Sequence, residues 1–378
     1  MPKILHVANA KSVFIKNLVS LLSDMEHVIL DVSGNSTVDI GCPVYTLPHF
    51  SVKKPWTLFK ARRFANNLLD KEHPDVVFFH SKYWILWFSV GEVLKKRNIP
   101  VVAPLWGTMD YLGKPLSWGR ERFHRKIVES ADILTVPTKY HVPWIYHRYS
   151  LETLYKVSFA KFPTLVRYLD DVSEKDIAVL REQLVRERNR IIITVGQKAA
   201  LAPNHIRISL ALSLLPKDLR ENIFVIYPMT YGDTGYRKKV EEFLKRHANF
   251  EYVVLKEYMP VNVLAALKHL VDIEVLLFKM DSFSAALQEA LYAGSVVITG
   301  SWLPYQEIID RGGYMEFVDS LAVNAISQKL RYVIRNIDSL KQKTRVNKRV
   351  IEALNDEEEI RSQWMNAIEK AISRRRRR

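Results

Sequence analysis

Much that would announce another class of protein is missing from this chain. It has one cysteine, Cys42, among 378 residues; that excludes an internal disulfide and a cysteine-built metal cluster, and it fits a reducing compartment. No apolar run approaches the roughly 20 residues of a membrane-spanning helix. No leader pattern opens the chain, which passes from Met-Pro-Lys directly into Ile4-Leu5-His6-Val7, so a cytoplasmic location is expected. Asp-x-Asp pairs and metal-spaced histidines are also absent, and no metal or other cofactor is expected. There is no short-period repeat, and the only low-complexity run is a terminal string of arginines.

What is present begins with charge. Lysine and arginine number 56 against 41 acidic residues, a net +15. Arginines 374–378 supply a third of that excess, and as a charge run at a chain end they are expected to form a solvated, disordered tail. Such a tail can hold anionic lipid headgroups at about 1 kcal/mol per basic residue, or nucleic acid. Further basic residues collect in the first half, at Lys53, Lys54, Lys60, Arg62 and Arg63, at 95–97 and at 120–126. A basic surface suits anionic nucleotides, lipids and nucleic acids alike. The aromatic-rich segments 83–88 and 140–149 lie in the same half; core burial is expected for the first, with a membrane-facing role as its alternative.

Apolar content of 48% and charged content of 26% describe a globular chain with material for two cores. Short apolar runs alternate with helical patterns, which argues for parallel sheets covered on both faces. The expected strands are 3–8, 27–32, 44–47, 76–80, 101–105 and 133–137, then 191–195, 224–227, 252–255, 273–278 and 296–299. Segment 170–190, charged and helical, is the expected linker. The domains read as 1–170, 190–350 and a C-terminal helix with basic tail, 351–378.

The most informative segment is Asp281-Ser282-Phe283-Ser284-Ala285-Ala286-Leu287-Gln288-Glu289, closed at Gly294 before a new apolar strand. Asp281 or Ser282 makes a good helix N-cap. The first-turn amides and the helix dipole favour a phosphate, and Glu289, two turns on, can reach the hydroxyls of a ribose. An ordinary capped amphipathic helix would share the cap, but not the two spaced acids.

This segment resembles the acid-x7-Glu signature of retaining glycosyltransferases of the GT-B fold. The resemblance implies two Rossmann-like α/β domains facing across a cleft, with a C-terminal helix, here 357–373, returning to the first domain. It implies that Asp281 meets the donor sugar, the backbone of Ser282, Phe283 and Ser284 the diphosphate, and Glu289 the ribose. The family's first acid is usually glutamate; aspartate is one methylene shorter. The loop after the strand 191–195 carries Gly196, a donor-binding candidate, and Lys198, which matches the position of the cation that neutralises the diphosphate, with Asn204 opening the next helix and Arg207 as a second basic choice. Segment 192–260 also resembles a bacterial family that transfers N-acetylfucosamine to a lipid-linked disaccharide. Tyr258 and Met259 fall in the loop whose backbone meets the base.

In the first half, Trp106-Gly107-Thr108-Met109-Asp110 resembles the segment that lines the family's cleft beside the reacting sugar, with Trp106 where a histidine is usual. Gly107 would let the backbone approach the donor, and the polar role passes to Asp110. His80, at a strand end, is a second cleft candidate, although a satisfied structural histidine is the commoner use of such a position. The first strand–helix turn, Ala8-Asn9-Ala10-Lys11-Ser12, lacks the family's paired glycines; Asn9 or Lys11 could meet an acceptor phosphate. The resulting expectation is a catalytic set of Asp281, Asp110 and His80, a nucleotide-sugar donor and a glycan or lipid-linked acceptor. An anionic membrane surface on the inner face is a further partner, and nucleic acid the least favoured. A nucleotide-sugar 2-epimerase and a non-catalytic basic binding module are the alternatives.

Overall fold

A computed structural model describes residues 2–34, 39–49, 54–80, 86–107, 118–185 and 189–377. They form two compact units. One takes the chain up to Thr164 together with the part from Asn355 onward; the other is Leu165–Leu354.

The first unit holds a seven-stranded parallel sheet of β1 (Lys3–Ala8), β2 (Glu26–Asp31), β3 (Val44–Thr46), β4 (Val76–Phe79), β5 (Val101–Pro104), β6 (Ile133–Val136) and β7 (Val157–Phe159), in the order β3-β2-β1-β4-β5-β6-β7. Its central strands are buried on both faces, which is why they read as unbroken apolar runs. The helix Glu357–Arg376 completes one face: Ile360, Trp364, Ala367, Ile368 and Ala371 pack against Ile4, Val76, Phe78, Val102 and Ile133. Trp364 is fully buried and its indole N–H donates to the Lys161 carbonyl at 2.7 Å. The C-terminal helix therefore belongs to the first unit, as expected.

The second unit holds six parallel strands, β8 (Ile191–Val195), β9 (Ile223–Pro228), β10 (Glu251–Leu255), β11 (Ile273–Leu276), β12 (Val296–Gly300) and β13 (Glu316–Val318), in the order β10-β9-β8-β11-β12-β13. One face is covered by the helices His205–Ser213, Thr234–His247 and Val323–Arg335, through Ile208, Leu212, Val240, Ile326 and Leu330. On the other face, Ala285–Tyr292 and Asn347–Leu354 pack through Leu287, Leu291, Val350 and Ile351.

Every strand expected from the sequence forms, with ends displaced by two residues at most. β7 and β13, three residues each and at the edges of their sheets, were not expected. The segment expected as a linker is instead a layer of the second unit. Its helix Glu174–Leu184, closed by a capping box between Ser173 and Asp176, packs Ile177, Leu180 and Leu184 against Ile192, Phe224 and Leu267. Val166 and Leu169 join the second core as well.

The terminal arginines also depart from expectation. Arg374, Arg375 and Arg376 form the last turn of the C-terminal helix, favourably placed at its negative end. Arg374 donates to the Tyr155 carbonyl at 2.9 Å, and Arg375 lies 3.3 Å from the fully buried Asp132 carboxylate. In the aromatic segment, Tyr83, Trp84 and Ile85 lie outside the described residues; Leu86 and Trp87 are buried.

Candidate functional site

The second sheet reverses its strand order between β8 and β11. At such a point the loops that follow the two strands diverge from the carboxyl edge and leave a crevice. The β8 loop carries Gly196, Gln197 and Lys198, and the β11 loop carries Asp281 to Ser284. Side chains tie the two loops together. Asn204 Nδ2 donates to the Leu277 carbonyl at 2.6 Å and to Ala202 at 3.2 Å, and Ser284 Oγ donates to Gln197 Oε1 at 3.4 Å. Asn204, expected to touch the donor, thus uses its amide to pin the loops. Gln197 is a site residue the sequence did not single out.

Backbone strain collects at the same place. Gly196 has φ +68°, and a Cβ there would sit 2.5 Å from His205 Nε2 and 2.8 Å from Pro203 Cβ. Asn204 and Phe283 hold left-handed conformations at φ 58° and 81°. For an aromatic residue such as Phe283 this is a costly geometry, of the kind retained where a loop must be held in one shape.

Asp281 accepts from the Tyr305 hydroxyl at 2.6 Å. Burial pushes its carboxyl pKa up, opposed by Tyr305, by the backbone amides of Ser282 and Ser284, and by the Lys198 charge. This corrects two expectations. The helix N-cap is neither Asp281 nor Ser282 but Ser284, whose Oγ accepts from the Leu287 amide at 3.4 Å, because the turn at Phe283 delays the helix to Ala285. The amides of Ser282 and Ser284, expected to face a diphosphate, bond to Asp281 instead. By position, the first-turn amides of Ala285 and Ala286 are the ones without intrahelical partners. Lys198 stands close enough to act on Asp281, whereas Arg207 is exposed and reaches the Leu321 carbonyl at 3.4 Å.

Glu289 belongs to a group the sequence did not disclose. Its carboxylate lies 3.5 Å from Lys268 Nζ. Lys268 also donates to both oxygens of Glu274 at 3.1 Å and to the Ala286 carbonyl at 3.3 Å. Burial alone would lower the Lys268 pKa, but Glu274 and Glu289 outweigh it and hold it above the ordinary lysine value. Glu274 is pushed up by burial and drawn back by Lys268. One ammonium thus serves two carboxylates, and Glu289 is the more exposed, at 18% against 2%. Tyr168 and Tyr231 feel its charge after the larger effect of their own burial. The available signal was Glu274 itself, an acid inside the apolar run of β11. Beyond β10, Tyr258 is exposed while Met259 packs against the core. Tyr227 is fully buried, its hydroxyl 2.7 Å from Ser209 Oγ.

The first sheet reverses between β1 and β4. The turn after β1 is held by side chains in place of glycines: Asp31 Oδ1 accepts from the Ala10 amide at 2.9 Å and Asn9 Oδ1 from the Lys11 amide at 3.0 Å. His80 follows β4, its amide donating to the Val7 carbonyl at 3.1 Å. Its ring is buried 5.1 Å from Trp106, which stacks on Phe162 with centroids 3.5 Å apart. Gly107 follows Trp106; Asp110 lies outside the described residues. Among the described residues, no group of three or more His, Cys, Asp or Glu is arranged to hold a metal ion.

Residues 13–153, most of the first unit, match the family model described as Glycosyltransferase Family 4. A search of curated protein sequences finds no match. Solved structures resemble the chain over nearly its whole length. A glycosyltransferase from Rickettsia africae is 13% identical with a TM-score of 0.76, covering 98% of each chain. Anabaena HepE, solved with UDP and glucose, is 14% identical with a TM-score of 0.76, covering 98% of this chain and 100% of its own. Sucrose-phosphate synthase from Thermosynechococcus elongatus is 14% identical with a TM-score of 0.76, covering 97% and 98%. At such identities the likeness speaks for architecture, and the architecture is that of the GT-B glycosyltransferases.

Proposed function

We propose that this chain is a glycosyltransferase that takes a sugar from a UDP-sugar donor and delivers it, with retention of anomeric configuration, to a glycan or lipid-linked acceptor. The observation that carries the reading is the strand reversal at β8 and β11, where Lys198, Asp281 and the start of the Ala285–Tyr292 helix meet, with Glu289 two turns along that helix. Lys198 and the Ala285 and Ala286 amides neutralise the diphosphate as it departs, which stabilises a transition state with charge developing on the leaving group. This arrangement asks for no metal. Glu289 accepts from the ribose hydroxyls and Asp281 orients the donor sugar. The first unit takes the acceptor, with His80 after β4 and Gly107 after β5 as its candidates there and Asp110 a further candidate by sequence, and its basic residues favour an anionic membrane surface on the cytoplasmic side. The choice of UDP is supported by the ligand of HepE.

The test is a thermal-shift screen across nucleotide sugars. A ligand at one hundred times its Kd stabilises the folded state by about 2.7 kcal/mol, so at least one UDP-sugar should raise the melting temperature. Release of UDP should then require an acceptor. A free, epimerised nucleotide sugar formed without acceptor would favour the epimerase. No shift with any nucleotide sugar, together with steeply salt-dependent nucleic-acid binding, would leave the binding module.

A further inference from the structure

Lys268 brings its ammonium to a junction of three elements of the second unit. It comes from the helix Val261–Leu270, and its side chain is 10% exposed. An ammonium has three N–H donors and no acceptor, and three groups surround this one. The Glu274 carboxylate of β11 accepts through both oxygens at 3.1 Å, the Ala286 carbonyl lies at 3.3 Å, and Glu289 Oε2 lies at 3.5 Å. Ala286 and Glu289 both belong to the helix Ala285–Tyr292. The cluster therefore ties that helix, and the carboxylate it carries, to the strand whose loop leads to Asp281.

Stability alone does not call for this arrangement. Apolar side chains of similar volume in place of a buried ion pair are often neutral or stabilising, and the neighbours of Glu274 along β11, Ile273, Val275 and Leu276, are apolar and buried. Nor does Lys268 need a second carboxylate once Glu274 holds it through both oxygens. What the second carboxylate gains is a fixed place. A long side chain that must be immobilised when a ligand arrives weakens binding about two- to tenfold. Glu289 meets Lys268 through Oε2, and a carboxylate has about four lone-pair sites, so it can accept from a ligand while it stays pinned.

We infer that Lys268 is a positioning residue for donor recognition: it fixes the Glu289 carboxylate in the orientation that accepts from the hydroxyls of a ribose, and so makes the site select ribonucleotides over nucleotides that lack those hydroxyls. Glu274 in turn fixes Lys268. The inference rests on the proposed place of UDP beside Glu289.

The experiment is calorimetry on the full chain with two probes, UDP and its 2′,3′-dideoxy analogue. Wild type should bind UDP at least about tenfold more tightly, the size of a hydrogen bond to a charged group. Lys268→Met combined with Glu274→Leu removes one charge of each sign. It should lower UDP affinity about two- to tenfold and leave affinity for the dideoxy analogue unchanged. Lys268→Gln combined with Glu274→Gln, which keeps polar groups in the core without the charges, should give the same split if the apolar pair does not fold. A site that has merely loosened binds both probes more weakly, so equal losses overturn the inference. In a Glu289→Gln background, the Lys268 and Glu274 changes should cost UDP nothing further, because they act through Glu289; an additive loss overturns the inference as well. Unchanged discrimination in both paired variants would remove Lys268 from this role while leaving the donor site standing. A wild type that binds the two probes equally would remove Glu289 from the ribose, and the inference with it.

Discussion

Lys268 balances two carboxylates that the sequence holds six and twenty-one positions away, on different elements. Replacing it with methionine leaves Glu274 and Glu289 unpaired, which should destabilise the protein by roughly 3–5 kcal/mol in urea melts. Pairing Lys268→Met with Glu274→Leu removes the buried acid as well and should recover most of that loss. Glu289→Gln, by contrast, should leave urea stability near wild type while weakening UDP binding by roughly 1.5–3 kcal/mol in calorimetry, the value of a hydrogen bond to a charged group. Equal affinity would remove Glu289 from the ribose. The spacing of Asp281 and Glu289 could be read because it lies within one segment. Lys268 and Tyr305 could not, because each reaches its partner only once helix and strand are packed. The tie of Asn204 to the Leu277 carbonyl could not be read either, since that acceptor lies seventy-three positions away.

Among elements, the β8 loop leaves little room for change. Gly196→Ala must hold alanine at φ +68° with its Cβ driven against His205 and Pro203, and should cost at least the 1–3 kcal/mol of a strained backbone position as well as UDP binding. A variant with wild-type stability and affinity would show that the loop shifts freely. At the C-terminus, ending the chain at Ser373 removes the Arg375 charge beside buried Asp132, which keeps the Val101 amide, and the Arg374 contact with Tyr155. We expect a loss of roughly 3 kcal/mol in urea melts, where a solvated tail would have given none. The central strands were legible because burial on both faces writes an unbroken apolar run. β7 and β13 were missed although the equally short edge strand β3 was not, and the true N-cap was missed because a positive φ at Phe283 has no counterpart in composition. The arginines were misplaced because a charge run says nothing about the carboxylate of Asp132 and the carbonyl of Tyr155 that it meets in the first unit.

For the molecule as a whole, the alternation of strand and helix was sufficient to foresee two parallel α/β arrays, while the helix that closes the first followed from the family resemblance alone. The alternation was not sufficient to place the boundary, because the contacts that draw Val166, Leu169 and Glu174–Leu184 into the second core are long-range. Stability of the whole should depend on pH through buried histidines. Burial, opposed by the Ala200 backbone, lowers the His205 pKa to about 4, below the roughly 6.5 of an unfolded histidine. The unfolded chain then binds more protons between those values, so stability is full above about 6.5 and falls as pH drops toward 4, by up to about 1.4 kcal/mol per pH unit. Urea melts of His205→Gln across that window should show a shallower loss than wild type; parallel curves would contradict it. The central claim, that UDP binds where β8 and β11 diverge, is tested most directly by hydrogen exchange with and without UDP. Slower exchange at residues 196–200 and 285–287 is the predicted result. Unchanged exchange there, or protection confined to other segments, would contradict the account.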